Sequence, residues 1–403
     1  MEIISTLFQI LFAAIFIYLT FSGGYFFIFS IAGLFYKDPK GKGVKQHHMA
    51  VMIPGYKEDS VIIDVAKDAL RQDYPQQCYD VIVIADSFTE STLSKLRELP
   101  IKVLEVSFEN STKSKSINKA FEQLPENYDL VVILDADNQM ERTYLSQVNR
   151  QFDGKTKIVQ THRIAKNLNN NLAILDAISE EMNNHAFRKG HRVLGLSAAL
   201  IGSGMAFEYN FFKDHMAKIK AIGGFDKELE LKFTSEGEQI SYLNSALVFD
   251  EKVQKSQVFT GQRRRWLSAQ FLYFARSIGP AFLALLTKGN IDYFNKSIQM
   301  ALMPRVLLIG LTFILALLSL LLNILPVPEW IMMWIYPGIL FWQALFAMVV
   351  VAVIAAIPHK FYNFKTLQAV LSLPKGFLLM ARSLISIGGA NKKFIHTQHG
   401  QTN

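Results

Sequence analysis

Hydrophobic and polar positions divide this chain into apolar ends and a more polar middle. No charged residue occurs from Ile3 to Tyr36, from Val306 to Pro328, or from Ile331 to Pro358. Each run reaches the ~20 apolar residues that a membrane-spanning helix needs. The pattern therefore predicts an N-terminal transmembrane anchor over residues 1–36 and two further transmembrane helices within residues 301–358.

The polar middle begins with alternating strand and helix patterns. The predicted strands are Met49–Ile53, Tyr79–Ala85, Ile101–Val106 and Leu130–Leu134, and the predicted helices are Val61–Leu70 and Ser114–Leu124. This alternation predicts an α/β domain with a mostly parallel sheet covered by helices on both faces. No Gly-x-Gly-x-x-Gly or Walker loop follows the first strand, which argues against a nicotinamide site or a P-loop.

Two regions predict amphipathic helices on the membrane surface. Within residues 266–300, Leu267–Leu286 contains Arg276 and Pro280, which favours an interfacial helix broken near the proline over a span. Residues 359–403 predict an interfacial helix pair, broken at Pro374-Lys375-Gly376, and a polar tail.

Charge sets the expected orientation. Four lysines follow the first apolar run: Lys37, Lys40, Lys42 and Lys45. By the positive-inside rule, the N-terminus lies outside an inner membrane, and the middle region and C-terminus are cytoplasmic. The single cysteine, Cys78, excludes an intramolecular disulfide and agrees with a reducing compartment. The net charge of +8 favours contact with anionic membrane lipid, and the sequence has no basic groove pattern that predicts nucleic-acid binding.

Candidate ligand-binding residues follow the predicted strands. They are Pro54, Tyr56 and Glu58 after the first strand, Asp86 after the second, Lys113 before a helix, and Asp135 and Asp137 after the fourth strand. Open α/β sheets bind ligands in the crevice at the carboxyl ends of their strands. Two carboxylates one residue apart suit a hard divalent cation carrying phosphates, although an acidic turn is the simpler alternative. Together these residues suit a nucleotide whose diphosphate is held by a metal.

These motifs resemble the nucleotide-sugar domain of family 2 glycosyltransferases, which has the GT-A fold; it would cover residues 48–265. They are Pro54-Gly55-Tyr56-Lys57-Glu58, Asp86 after Val-Ile-Val-Ile-Ala, Lys113 five residues before Asn118, and Leu134-Asp135-Ala136-Asp137. The resemblance implies that the first motif and Asp86 hold the uridine of a UDP-sugar. It also implies that Lys113 lies near the diphosphate and that Asp135 and Asp137 bind Mg²⁺ or Mn²⁺. The family's second acid beside Asp86 is replaced here by Ala85.

A small-residue segment, Gly202-Ser203-Gly204, lies further along the chain. Its glycines allow close backbone approach, and a tight turn is the alternative interpretation. The resemblance places this segment on the acceptor side of the sugar site, with Gln160 and His162 lining the same cleft.

The general base is sought among the acids between Phe225 and Leu231. Family 2 enzymes have a Thr-Glu-Asp type motif here, from which this chain departs. Alignment of Leu229-Glu230-Leu231 with the usual continuation puts Glu228 at the position of the family's base, and Asp226 is the alternative. We expect Glu228 to serve, because the acceptor hydroxyl needs a base near the metal.

A last motif, Gln262-Arg263-Arg264-Arg265-Trp266, lies beside the membrane. A basic run there generally contacts lipid headgroups. The pattern also resembles the Gln-x-x-Arg-Trp signature of membrane-embedded family 2 enzymes, which include cellulose, chitin, hyaluronan and poly-N-acetylglucosamine synthases and ceramide glucosyltransferases. The resemblance implies that Gln262, Arg265 and Trp266 form the acceptor site, where Trp266 stacks on a sugar. Arg265 would stabilise the charge of the leaving diphosphate.

The sequence thus predicts a metal-dependent, inverting glycosyltransferase that uses a UDP-sugar. A growing β-linked polysaccharide is the expected acceptor, and a membrane lipid that is glycosylated once is the alternative. Three spans are few for a channel, so a polymer would favour an additional export or channel subunit. A non-catalytic subunit of a surface-polysaccharide complex is the hypothesis from a different class.

Overall fold

The computed structural model describes residues 2–221, 223–252, 256–326, 328 and 336–385. Within these residues, strands form one eight-stranded sheet in the order β3-β2-β1-β4-β7-β6-β8-β5. The strands are β1 Met49–Tyr56, β2 Tyr79–Asp86, β3 Lys102–Val106, β4 Leu130–Ile133, β5 Gln139–Met140, β6 Ile158–Ala165, β7 Met205–Glu208 and β8 Ser241–Asp250.

The direction of the strands decides which residues can meet. Strands β1 to β4 run parallel to one another. Strand β7 runs antiparallel to both β4 and β6, and β8 runs parallel to β6. The two reversals cancel, so β8 ends at the same edge of the sheet as β1, β2 and β4. The predicted α/β sheet is confirmed.

Alternation of side chains along the strands gives the sheet two cores. Val51 and Val81 belong to a buried cluster on one face, and Met52 and Ile82 belong to a cluster on the other. A strand that is buried on both faces of the sheet has a nearly continuous run of apolar residues in its sequence. This explains why β1, β2 and β4 are recognisable in the sequence.

The helices are named in chain order. They are α1 Glu2–Gly33, α2 Ile62–Ala69, α3 Glu90–Arg97, α4 Lys113–Gln123, α5 Tyr144–Asn149, α6 Asn171–Asn183, α7 His191–Val193, α8 Tyr209–Met216, α9 Phe225–Ser235, α10 Ser256–Lys288, α11 Ile291–Gln299, α12 Arg305–Ile324, α13 Ile339–Ala356, α14 Phe364–Val370 and α15 Leu373–Ile385. A π-helical turn, Asn184–Gly190, joins α6 to α7.

Four described helices are long and apolar enough to cross a membrane, by length and composition: Thr6–Gly33, Thr260–Lys288, Arg305–Ile324 and Ile339–Ala356. The sequence predicts three spans, and the additional helix is the body of α10. Helices α1, α12 and α13 pack on one another around a shared core that includes Leu19, Leu308 and Trp342.

Helix α10 continues through Pro280, so the predicted break there is wrong. Tertiary contacts hold the helix on both sides of the proline. The hydroxyls of Ser277 and Ser297 lie 2.7 Å apart, and Ala281 is buried in a cluster with Leu231 of α9. Helix α10 therefore packs along α9 and α11.

The C-terminal helix pair is also divided at a different point. Helix α14 ends at Val370 and α15 begins at Leu373, so the predicted break at Pro374 lies two residues too late. Proline is tolerated in the first turn of a helix, where its missing N–H has no intrahelical partner. Residues 331–335 of the third predicted span and the tail after residue 385 lie outside the described residues.

Candidate active site

The carboxyl ends of β1, β2, β4 and β8 line a cavity of about 360 Å³, within the ~300–1,000 Å³ of typical ligand sites. Most of the predicted site residues lie on its wall: Pro54, Tyr56, Glu58, Asp86, Lys113, Asp135, Asp137, Gly202, Asp226, Gln262, Arg265 and Trp266. In the part of the chain that the structure describes, the lining does not include Ser203, Gly204 or Glu228.

One end of the cavity is built on Asp86, the last residue of β2, whose side chain is buried. Its Oδ1 accepts a hydrogen bond from the Ser87 hydroxyl at 2.9 Å. Its Oδ2 is also buried and has no hydrogen-bond partner among the described residues. A buried carboxylate oxygen without a donor is costly, so this atom is suited to accept an N–H from a ligand.

The loops beside Asp86 have an unusual backbone. Lys57 and Ser87 have φ angles of 55° and 59°, a left-handed conformation that is unfavourable for residues with a Cβ. The Lys57 N–H donates to the Asp86 carbonyl at 3.0 Å, which joins the ends of β1 and β2. Strain of this kind is concentrated at functional sites in proteins.

Three carboxylates form the centre of the cavity. Oxygens of Asp135, Asp137 and Asp250 lie within 4.8 Å of one another. Asp135 and Asp137 follow β4, and Asp250 ends β8, the strand that reaches the same edge. A donor set made only of carboxylate oxygens suits Mg²⁺ or Mn²⁺ more than a softer metal. These residues can hold a divalent metal.

Cationic side chains surround the three acids. The Lys113 ammonium lies 2.5 Å from Asp135 Oδ1 and donates to the Gly202 carbonyl at 2.7 Å. Arg163 Nη1 lies 3.6 Å from Asp135 Oδ2 and 3.6 Å from Asp250 Oδ1. The negative charge of the cluster is therefore partly compensated by the protein.

A buried network of ion pairs holds the cationic side chains beside the three acids. Lys252 lies 2.7 Å from Asp250 and also pairs with Glu180 of α6, and Arg163 Nε donates to Glu180 at 2.6 Å. Burial alone would raise the pKa of Glu180, but Arg163 and Lys252 outweigh it and lower the pKa. The ionised Glu180 holds both cations towards the metal-binding acids.

The start of α9 decides which acid faces the cavity. The Asp226 side chain lines the cavity and is 17% exposed. Its Cγ lies 4.0 Å from where a Cβ on Gly202 would stand. Glu228 is directed to α10 instead, where the Tyr273 hydroxyl donates to it at 3.1 Å. Burial raises the pKa of the Asp226 carboxyl, and Lys227 opposes that rise.

The first half of α10 closes the other end of the cavity with Gln262, Arg265 and Trp266. Residue Trp266 is 45% exposed, and the Arg263 guanidinium lies 4.5 Å from the centre of its ring. Arg263 also forms an ion pair with Asp176 of α6. Trp266 and the cation over its ring, Arg263, therefore both line this end of the cavity.

Sequence reasoning missed several residues of this site: Arg163, Asp176, Glu180, Asp250 and Lys252. Asp250 had a signal, because it directly follows the apolar run Ala246-Leu247-Val248-Phe249, as Asp86 follows Val-Ile-Val-Ile-Ala. Arg163 had none, since it lies within β6, and the pairing of β6 with β8 jumps from Leu243 to Leu247 between Thr161 and His162. Gln160 and His162, which were expected in the cleft, instead bond to the Ser203 carbonyl and to Glu181.

The fold and the acidic crevice define a nucleotide-diphospho-sugar transferase domain of the GT-A type. The family model described as glycosyltransferase like family 2 matches residues 47–269, more than half of the chain. The chain therefore belongs to glycosyltransferase family 2.

Two similar proteins extend this comparison. The probable glycosyltransferase YdaM of Bacillus subtilis is 24% identical over 239 residues, which cover 54% of this chain and 54% of YdaM. The mannosyltransferase PcManGT of Pyrobaculum calidifontis, solved in complex with GDP-Man and Mn²⁺, is 15% identical with a TM-score of 0.53. That alignment covers 87% of this chain and 98% of PcManGT, and at this identity it shows a shared fold.

Proposed function

We propose that this protein transfers a sugar, with inversion, from a UDP-sugar to an acceptor hydroxyl at a membrane surface. One observation carries the proposal. A single cavity contains a buried carboxylate oxygen at Asp86, a three-carboxylate cluster and a candidate base at Asp226, and it ends at Trp266 on an apolar helix.

The donor base is inferred from Asp86. Its buried Oδ2 can accept the single ring N–H of uracil. Guanine also presents N–H donors, and PcManGT was solved with GDP-Man. A panel of UDP-sugars and GDP-sugars separates the two bases, and we expect UDP-sugars to be used.

The metal site fits a divalent cation because its ligands are three clustered carboxylates. Asp135, Asp137 and Asp250 would hold Mg²⁺ or Mn²⁺. When bound, such a cation neutralises the diphosphate and favours its departure. Titration of each metal against the transfer rate identifies the one that the protein uses.

The protein's own groups supply the remaining chemistry. The Asp226 carboxylate takes the proton of the acceptor hydroxyl as its oxygen bonds to the anomeric carbon. The bond from that carbon to the diphosphate oxygen breaks on the opposite face, and its electron pair leaves with the diphosphate. Lys113 and Arg265 stabilise the departing charge. An α-linked donor then gives a β-linked product.

The acceptor is a growing polysaccharide or a membrane lipid. The packing of α1, α12 and α13 around a shared apolar core favours the lipid, because this core offers a sugar chain no polar lining. A polymer acceptor would need a separate export or channel subunit. For either acceptor we propose that the cavity lies on the cytoplasmic face of an inner membrane, as the lysines after the first apolar run predict.

Helix α10 supports this placement at the membrane surface. Its exposed face carries apolar side chains at helical spacing: Phe271, Leu272, Phe282, Leu283 and Leu286. Its opposite face packs on α9 of the catalytic domain. A helix with one face on a domain and an apolar face exposed is suited to lie in the lipid interface.

The test is transfer by the full chain, reconstituted in vesicles of the expression host's total polar lipids. Labelled UDP-sugars and GDP-sugars are supplied with Mn²⁺ or Mg²⁺, and the products are extracted into organic solvent and sized. One lipid-soluble product supports the lipid acceptor, and a high polymer supports polysaccharide synthesis. Metal-dependent UDP binding without any product would support the non-catalytic subunit instead.

A further inference from the structure

A fully enclosed carboxylate lies one helical turn after Asp226. The Glu230 side chain is 1% exposed, and each of its oxygens has a cationic partner. Its Oε1 lies 3.1 Å from the Lys296 ammonium, and its Oε2 lies 3.1 Å from the Lys227 ammonium. Burial alone would raise the pKa of Glu230, but the two lysines lower it to about 2.

This network forms hydrogen bonds with both backbone groups of Leu200 in the neighbouring loop. The Leu200 N–H donates to Glu230 Oε2 at 3.0 Å, and the Lys227 ammonium donates to the Leu200 carbonyl at 2.9 Å. Two residues later, the Gly202 carbonyl accepts the bond from Lys113. Glu230 therefore connects the helix that carries Asp226 to the loop that holds the cation at the metal-binding acids.

The third residue of this network is Lys296, which lies on a helix between α10 and α12. Lys296 belongs to α11 and its side chain is 0% exposed. Helix α11 is bonded to α10 through Ser297 and Ser277, and it precedes the apolar helix α12. A buried ammonium is desolvated at a cost that its attraction to a carboxylate often only offsets, so such a pair is weak evidence for stability. The pair is therefore more informative about how it positions the groups around it than about the stability of the fold.

We propose that Glu230, held between Lys227 and Lys296, is a positioning residue that fixes the Asp226 carboxylate relative to the Leu200–Gly202 loop. Through its ion pair with Glu230, Lys296 makes the position of this carboxylate depend on how α11 packs against α9. The inference rests on the proposed function, in which Asp226 is the base. It predicts that loss of the network lowers the rate of the proton-transfer step while the donor still binds.

The test compares Glu230→Gln, Lys296→Met and the double variant in the full chain in host-lipid vesicles. Glutamine keeps an oxygen for the Leu200 N–H, and methionine keeps the length of the lysine stem. Lys232→Met is the matched control, because Lys232 is a partly exposed lysine of the same helix that pairs with Glu236. Folded sites are counted by Mn²⁺-dependent binding of the nucleoside diphosphate of the active donor.

We expect each single variant to lower kcat by about ten- to a hundredfold, the loss that a displaced catalytic group produces. The donor KM and nucleotide affinity should stay within about twofold, since uniform binding is not removed. The double variant should lose no more than the worse single variant, because the two residues act as one unit. A merely structural role would reduce the number of nucleotide-binding sites without changing kcat per site.

Near-normal kcat per site in both single variants would overturn the positioning role. So would a loss in the Lys232→Met control equal to theirs. Asp226→Asn, measured in parallel, separates this result from a failure of the proposed function. If Asp226→Asn is inactive while the Glu230 and Lys296 variants keep full activity, the network has no positioning role and Asp226 remains the base.

Discussion

Replacing Asp226 by asparagine, and separately Glu228 by glutamine, tests which of the two carboxylates at the start of α9 is the general base. Asp226 lines the cavity, whereas Glu228 accepts a hydrogen bond from Tyr273 outside it. A positioned general base contributes about 10²–10⁴-fold to the rate, which corresponds to about 3–5 kcal/mol of activation free energy. Asp226→Asn should therefore lose that factor in kcat.

The expected effect at Glu228 is of a different kind. Its hydrogen bond with Tyr273 is worth about 1.5–3 kcal/mol to a carboxylate, and the neutral glutamine can still accept a bond worth about 1 kcal/mol. Glu228→Gln should keep kcat within about threefold, the usual effect of a change away from the reacting groups. Initial rates of transfer, divided by the number of nucleotide-binding sites, measure both. Loss of transfer in Glu228→Gln with retained transfer in Asp226→Asn would refute the assignment of Asp226 as the general base and favour Glu228.

Three further predictions concern the same cavity. Asp250→Asn should raise the Mn²⁺ concentration for half-maximal nucleotide binding by about ten- to a hundredfold, and an unchanged value in calorimetry would remove Asp250 from the metal site. Because burial raises the pKa of Asp226, kcat should fall with decreasing pH at values above the ordinary aspartate pKa of about 3.9; a lower midpoint in the pH–rate profile would contradict this. Gly202→Ala, at a φ of +81°, should destabilise the protein by about 1–2 kcal/mol, seen as a lower thermal midpoint in detergent, and an unchanged midpoint would refute the strain.

Much of the donor half of the site follows from sequence because its residues are local to single strands. Asp86, Asp135 and Asp137 each end or follow an apolar run, and parallel strands place such ends together. No knowledge of the strand order is needed to bring them near one another. The prediction of an acidic crevice therefore needed only the strands and their direction.

The residues that were missed depend on long-range topology. Asp250 reaches Asp135 only because two antiparallel pairings cancel, which cannot be seen in the chain of β8 alone. Arg163 lines the cavity from β6, whose pairing with β8 is interrupted by extra residues of β8 between Leu243 and Leu247, and such an irregularity depends on the partner strand.

The choice between Asp226 and Glu228 illustrates a further limit. Their spacing puts them on different faces of a helix, but the sequence does not say which face the cavity occupies. Tyr273, which binds Glu228, lies on α10, and the direction of α10 depends on its contacts with α9 and α11. Those contacts also carry the helix through Pro280, where local propensity predicts a break.

The most direct test of the account is sugar transfer by Asp137→Asn in host-lipid vesicles, with labelled UDP-sugar and saturating Mn²⁺. The matched control is Asp64→Asn, since Asp64 is an exposed aspartate of α2 that does not belong to the described cavity lining. The account predicts that Asp64→Asn transfers sugar at the wild-type rate and that Asp137→Asn loses transfer together with Mn²⁺-dependent UDP binding. Full transfer by Asp137→Asn would contradict the metal-dependent glycosyltransferase site at its centre.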